Sequence, residues 1–196
     1  MTKNRLEAFS DGVLAIIITI MVLEFKTPQG STWEDLKPLL PKFLSYALSF
    51  IYVGIYWNNH HHMLHTVKKV NGKILWANLH LLFWLSLIPF ITGWIGENHL
   101  AKLPMMLYGV VLFMSGLAYS ILQKIIIKSE GKNSILSKAI GNSYKEKISI
   151  FCYLTSIGFA YFFPIVSLAI YILVSFMWFI PDKRIERFLE EENKNN

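Results

Sequence analysis

Between Gly12 and Leu23 the chain carries only apolar side chains, one glycine and one threonine. Several more stretches are nearly as apolar, and that repetition constrains the fold more than any other feature. A bilayer core needs roughly 17–25 residues of mostly apolar helix to cross it. Six segments are read as spans: 6–25, 43–59, 74–95, 103–127, 148–163 and 165–180. The last two are short and only Pro164 separates them, so a tight hairpin or a shallow, tilted pair also fits. The expected fold is an all-α integral membrane protein with six transmembrane helices over 1–180 and a charged tail over 181–196. Composition excludes the soluble alternative. Charged residues make up 16% of the 196, against roughly 25% in soluble domains. With 54% apolar residues the chain is not disordered either.

Lysine and arginine give the orientation. Cytoplasmic loops collect these residues. With the N-terminus inside, fifteen of the nineteen fall on the inside segments; Lys26, Lys37, Lys42 and Lys102 fall outside. This bias predicts that both termini are cytoplasmic, and it supports a break at Pro164. The net charge of +6 is then a mark of topology, and no nucleic-acid partner is expected. The first apolar segment is a poor signal peptide, because Glu7 and Asp11 precede it and no small-residue cleavage pattern follows. The longest loop, 128–147, is polar and basic. Within the tail, Arg184–Glu191 has the pattern of a short amphipathic helix.

The sequence holds no glycine-rich phosphate loop, no nucleophile elbow and no HExxH pair. It also lacks the TVGYG filter of ordinary potassium channels and an arginine-rich voltage-sensing helix. Cys152 is the one cysteine, so it forms no intramolecular disulfide and reads as a small buried residue. Neither an enzyme nor a cofactor is expected.

Polar residues beside a spanning helix are functional candidates by default, and Arg5-Leu6-Glu7-Ala8-Phe9-Ser10-Asp11 opens the first span. The plain reading is an N-terminal cap, since acid suits the positive end of a helix. Geometry adds a second. At 100° per residue, Gly12, Ile16, Thr19, Ile20 and Leu23 fall on one stripe, and Asp11 lies about 140° from Ile16. Asp11 therefore points toward neighbouring helices. The expected topology brings Trp57 and His60, ending helix two, and Asn78 and His80, starting helix three, to the same depth. Buried polar groups in a membrane must find partners. An interhelical network of Arg5, Ser10, Asp11, Trp57, His60 and Asn78 is expected, with His80 a further candidate.

Arg5-xxx-Phe9-Ser10-Asp11 resembles the RxxxFSD motif of the transmembrane protein 175 family, the lysosomal and endosomal potassium channels. Trp57-xx-His60, Asn78-Leu79 and Leu87-Ile88-Pro89-Phe90 agree with it. The resemblance extends over all six helices and is strongest over 5–96; from about Leu103 it is one of pattern only. A single six-helix unit is similar to the bacterial members, which assemble as homotetramers, whereas animal members carry two units and dimerise. The resemblance implies a passive channel for potassium and other monovalent cations, its central pore lined by helix one. Ile16 takes the place of the constricting isoleucine, Ile20 and Leu23 of further apolar rings, and Thr19 of a threonine found in some members. The bacterial plasma membrane is the implied location.

By itself, an isoleucine-rich stripe also fits ordinary packing or lipid contact. Two other classes of function stay open on the residues alone. His60, His61, His62 and His65 cluster at the inner end of helix two, and His61 and His65 stand i, i+4, the spacing of a shared metal on one helical face. No cysteine or acid joins them locally, so they also fit an interfacial position, and no metal ligand is assigned. A histidine-dependent metal ion transporter and a non-conducting membrane scaffold are the alternatives. Trp33, Trp76, Trp84, Trp94 and Trp178 fit interface anchors or bundle packing. Pro89 is expected to kink helix three, with Gly93 and Gly96 allowing close approach.

Overall fold

The structure is a computed structural model that describes residues 2–131, 133–140 and 144–179. The first helix, α1 (Lys3–Leu23), buries Leu6, Ser10, Leu14, Ile17 and Met21, one stripe of a 3.6-residue helix. A single turn, α2 (Trp33–Leu36), starts at Thr32, whose backbone N–H donates to Asp35 Oδ2 at 3.0 Å. That acid at the third helical position satisfies an otherwise orphaned donor. A 3-10 turn over Lys37–Leu39 leads into α3 (Leu40–His65). Pro38 and Pro41 stand in the first turns of these two elements, where a missing N–H costs nothing.

Asn71 caps α4 (Gly72–Ser86): its Oδ1 accepts from the N–H groups of Lys73 and Ile74 at 3.0 Å each. After Leu87 comes α5 (Ile88–Glu97). The rest of the described chain holds α6 (Lys102–Glu130), α7 (Ile135–Ile140), α8 (Tyr144–Phe162) and α9 (Pro164–Phe179).

Among the described residues four stretches are long and apolar enough to cross a membrane: Lys3–Leu23, Trp33–His65, Gly72–Glu97 and Lys102–Glu130. The segments expected as spans five and six correspond to α8 and α9, and neither reaches that measure. α8 carries Lys145, Glu146 and Lys147 in its first turn, and α9 has 16 residues.

Several boundaries differ from the sequence reading. α3 overruns 43–59 at both ends and carries His60–His65 as further helical turns. Hydropathy marks the bilayer and not the end of a helix, and nothing in Asn-His-His-His-Met breaks one. The 74–95 segment divides at Leu87, because Pro89 has no N–H to offer the Leu85 carbonyl. The 128–147 segment contains α7 instead of being loop throughout. Ile180, the tail 181–196 and its Arg184–Glu191 pattern lie outside the described residues.

In the packing, α6 lies between α4 and α8, α8 pairs with α9, α3 packs on α5, and α1 lies against α3, α4 and α5. Gly96 permits the close approach of α5 to α3: a Cβ there would stand 2.9 Å from the Lys42 Cα. Buried hydroxyls stitch the bundle. Thr92 Oγ1 lies 2.6 Å from Ser49 Oγ, and Ser49 Oγ lies 3.0 Å from the Tyr108 hydroxyl. Tyr52 O–H donates to the Tyr171 carbonyl at 2.6 Å, and Tyr171 O–H to the Met105 carbonyl at 3.0 Å. Without water, each such group needs a protein partner. Outward, α8 and α9 expose Phe151, Leu154, Phe159, Ile165, Leu173 and Phe176, a surface suited to lipid and not to water.

Candidate pore helix and its polar anchor

The two faces of α1 meet different surroundings. Its inner stripe is covered by α3, α4 and α5. Opposite, Ile16 is 59% exposed, Ile20 42% and Leu23 76%, and Gly12, Ala15 and Thr19 are exposed with them. Thr19 turns its hydroxyl back to the Ala15 carbonyl at 2.8 Å, so the exposed face offers no free donor there. Ile16 and Ile20 form one wall of an open groove of about 450 Å³; Pro89 and Phe90 at the α4–α5 bend form the other. Glu24, at the C-terminal cap of α1, also lines that groove.

At its start α1 is held by two sets of hydrogen bonds. Trp57 Nε1–H donates to Asp11 Oδ1 at 3.0 Å, tying α3 to α1. Beside it, Asn78 Nδ2–H donates to Ser10 Oγ at 2.9 Å, and Ser10 O–H donates to the Leu6 carbonyl at 2.9 Å. Asn78 Oδ1 lies 2.6 Å from His60 Nε2. Because the Asn78 amide nitrogen is committed to Ser10, its oxygen faces the histidine, and His60 Nε2–H is the donor. Ser10, His60 and Asn78 are almost wholly buried. Three helices thus meet through one satisfied polar chain, while Asp11 is partly buried next to it.

The structure brings together Ser10, Asp11, Trp57, His60 and Asn78. It does not bring Arg5, Phe9 or His80 to them. Arg5 and Phe9 are exposed, and no hydrogen bond or ion pair among the described residues holds the Arg5 guanidinium. His80 accepts from Trp84 Nε1–H at 3.0 Å on its own helix. The sequence reading gave no role to Glu7, whose Oε1 is buried with no hydrogen-bond partner and lies 3.9 Å from Lys3 Nζ. Glu7 stands one turn before Asp11, and that i, i+4 spacing was the available signal. Lys3 Nζ also donates to the His65 carbonyl at 2.6 Å, a second tie between α1 and α3. His61 stacks on Trp57 at 6.2 Å between ring centres and meets His65 edge-on at 6.0 Å. Among the described residues no three of His, Cys, Asp or Glu converge as a metal site.

A sequence model of the endosomal/lysosomal potassium channel TMEM175 matches residues 5–89. A potassium channel of a Chryseobacterium species is 62% identical over 191 residues, covering 97% of this chain and all of that protein. The chain belongs to the TMEM175 family. The human endosomal/lysosomal proton channel TMEM175 is 36% identical over 96 residues, 42% of this chain and 19% of that protein. A crystal structure of a lysosomal potassium-selective channel TMEM175 homologue from Chamaesiphon minutus is similar in fold. Its TM-score is 0.76 at 24% identity, over 90% of this chain and 95% of that one. The TMEM175 match covers α1, α3, α4 and the first residues of α5, the elements that carry the polar anchor. The helices from α6 onward lie beyond it.

Proposed function

We propose that the chain is the subunit of a passive, potassium-permeable cation channel, a homotetramer in which four copies of α1 surround a central pore. The observation that carries this reading is the asymmetry of α1. Its polar start is locked to α3 and α4, while Ile16, Thr19, Ile20 and Leu23 are left uncovered by the rest of the chain. Relatives named as potassium channels support the ion. The layout is six spans with both termini cytoplasmic, α8 and α9 lying in the fifth and sixth. Membership in a family of channels and the bacterial relative support a bacterial plasma membrane.

The mechanism follows from the chemistry of the face. Four isoleucines around an axis make a narrow ring that sheds water, so a cation must lose part of its hydration there. No carbonyl cage replaces that water, so selectivity for potassium over sodium is modest. Closure needs no more than a dewetted seal. Ser10, Asp11, Trp57, His60 and Asn78 set the position of α1 and do not touch the ion. No catalytic group, cofactor or resident metal is assigned; potassium is the cargo. The test is to purify the protein, measure its mass in detergent and follow potassium and sodium flux into liposomes. A tetramer that passes potassium faster than sodium is expected. A monomer, or a tetramer that passes no monovalent cation, contradicts the reading and favours a scaffold.

A further inference from the structure

A groove of about 760 Å³ opens between α4 and α6, at the end of the bundle that carries Asn71. Ala77, Ile121 and Ile125 form its apolar wall, and His80 lines it beside Ala77. Lys73 and Trp76 line it from α4, and Trp76 is 75% exposed. Helical arithmetic brings more charge to the rim. Around α6, Lys128 lies about 20° from Ile121 and Lys124 about 60° on the same side, whereas Glu130 lies about 180° away. Glu130 is instead engaged with the backbone N–H groups of Lys68 and Lys69 at 3.0 and 3.3 Å.

At the other end of the molecule Lys37 is paired with Glu34 at 2.8 Å and Lys42 with Glu97 at 3.2 Å, whereas Lys102 lies over the Tyr161 ring and Lys26 has no carboxylate partner among the described residues. Lys73, Lys124 and Lys128 are exposed and have no carboxylate partner among the described residues. Three unneutralised ammonium groups at the mouth of an apolar slot, with an indole beside them, complement one ligand: a phosphate head on a hydrocarbon chain.

We infer that this groove binds an anionic phospholipid, its phosphate on Lys73, Lys124 and Lys128 and its acyl chain along Trp76, Ile121 and Ile125. The inference rests on membrane insertion and not on conduction. A lysine near an anionic headgroup favours it by about fivefold, so the groove prefers anionic over zwitterionic lipid by at least that factor.

The experiment uses the full chain in liposomes, with tryptophan fluorescence quenched by brominated phosphatidylglycerol or brominated phosphatidylcholine. Subtracting the Trp76→Phe variant isolates the signal from the groove. Stronger quenching by phosphatidylglycerol is expected, falling to parity in a variant with Lys73, Lys124 and Lys128 all changed to Gln. Lys73→Gln alone lowers the preference in part, which keeps the test valid if the triple variant folds poorly. Lys37→Gln leaves it unchanged. Equal quenching by the two lipids overturns the inference, and so does a preference that survives the lysine changes. A Trp76 signal reached by neither lipid also overturns it, because a second copy of the chain would then cover the groove. Both leaflets hold the probe, so a failed result says nothing against the channel or its orientation.

Discussion

Asn78 is the residue on which the most partners depend. It gives its amide N–H to Ser10 and its oxygen to His60, and all three groups are buried. Replacing it with leucine leaves a histidine donor unpaired away from water, at a cost of about 1–3 kcal/mol. Ser10→Ala leaves the buried Asn78 amide N–H unpaired, a cost in the same range, but keeps the Asn78–His60 bond, whereas Asn78→Leu loses both. Asn78→Leu is therefore expected to lower the melting temperature of the solubilised protein clearly more than Ser10→Ala. The reverse order would mean that the chain is not organised around Asn78. For Asp11→Ala, which frees the Trp57 indole N–H, we expect loss of the tetramer or of its current. Unchanged tetramers carrying unchanged current would remove Asp11 from the positioning of α1. The participants in this chain could be read from sequence because polar residues beside apolar runs must pair, and the topology put these at one depth. Arg5 and His80 could not be placed that way, since depth alone does not fix which side of a helix a residue occupies. Trp84 stands four residues from His80, and that spacing names the partner it has.

At the scale of elements, α5 is bent away from α4 at Pro89 and then pressed against α3 at Gly96. A methyl group at Gly96 would meet backbone, 2.9 Å from the Lys42 Cα, whereas one at Gly158 on α8 would meet nothing within 4 Å. Gly96→Ala is expected to cost about 1–3 kcal/mol by overpacking, and Gly158→Ala to change little. Thermal melts of the two variants in one detergent check this, and equal melting temperatures would contradict the close α3–α5 contact. Helix content was legible in the apolar runs, and the kink in a single proline. The ends of α3 and α6 were not, because helices continue past the hydrocarbon into polar sequence. The short α7 carries too little apolar periodicity to announce itself.

At the scale of the whole molecule, the proposed topology puts Lys37 and Lys68 on opposite sides of the membrane. In a Cys152→Ser background, a cysteine at position 37 and one at position 68 should react with an impermeant thiol reagent from opposite faces of sealed vesicles. Labelling of both from one face would overturn the six-span layout. Both positions are exposed. Charge bias makes orientation readable in the sequence, but assembly is written in no single residue. The proposed pore rests on the exposed face of α1, with Ile16 at its centre. That makes the ratio of potassium to sodium flux through liposomes, wild type against Ile16→Asn, the most direct test of the account. Wild type is expected to pass potassium faster than sodium, and asparagine to wet the ring and shrink the difference. A ratio unaltered by Ile16→Asn, in a protein that conducts, would place the constriction elsewhere and contradict a pore lined by this face of α1.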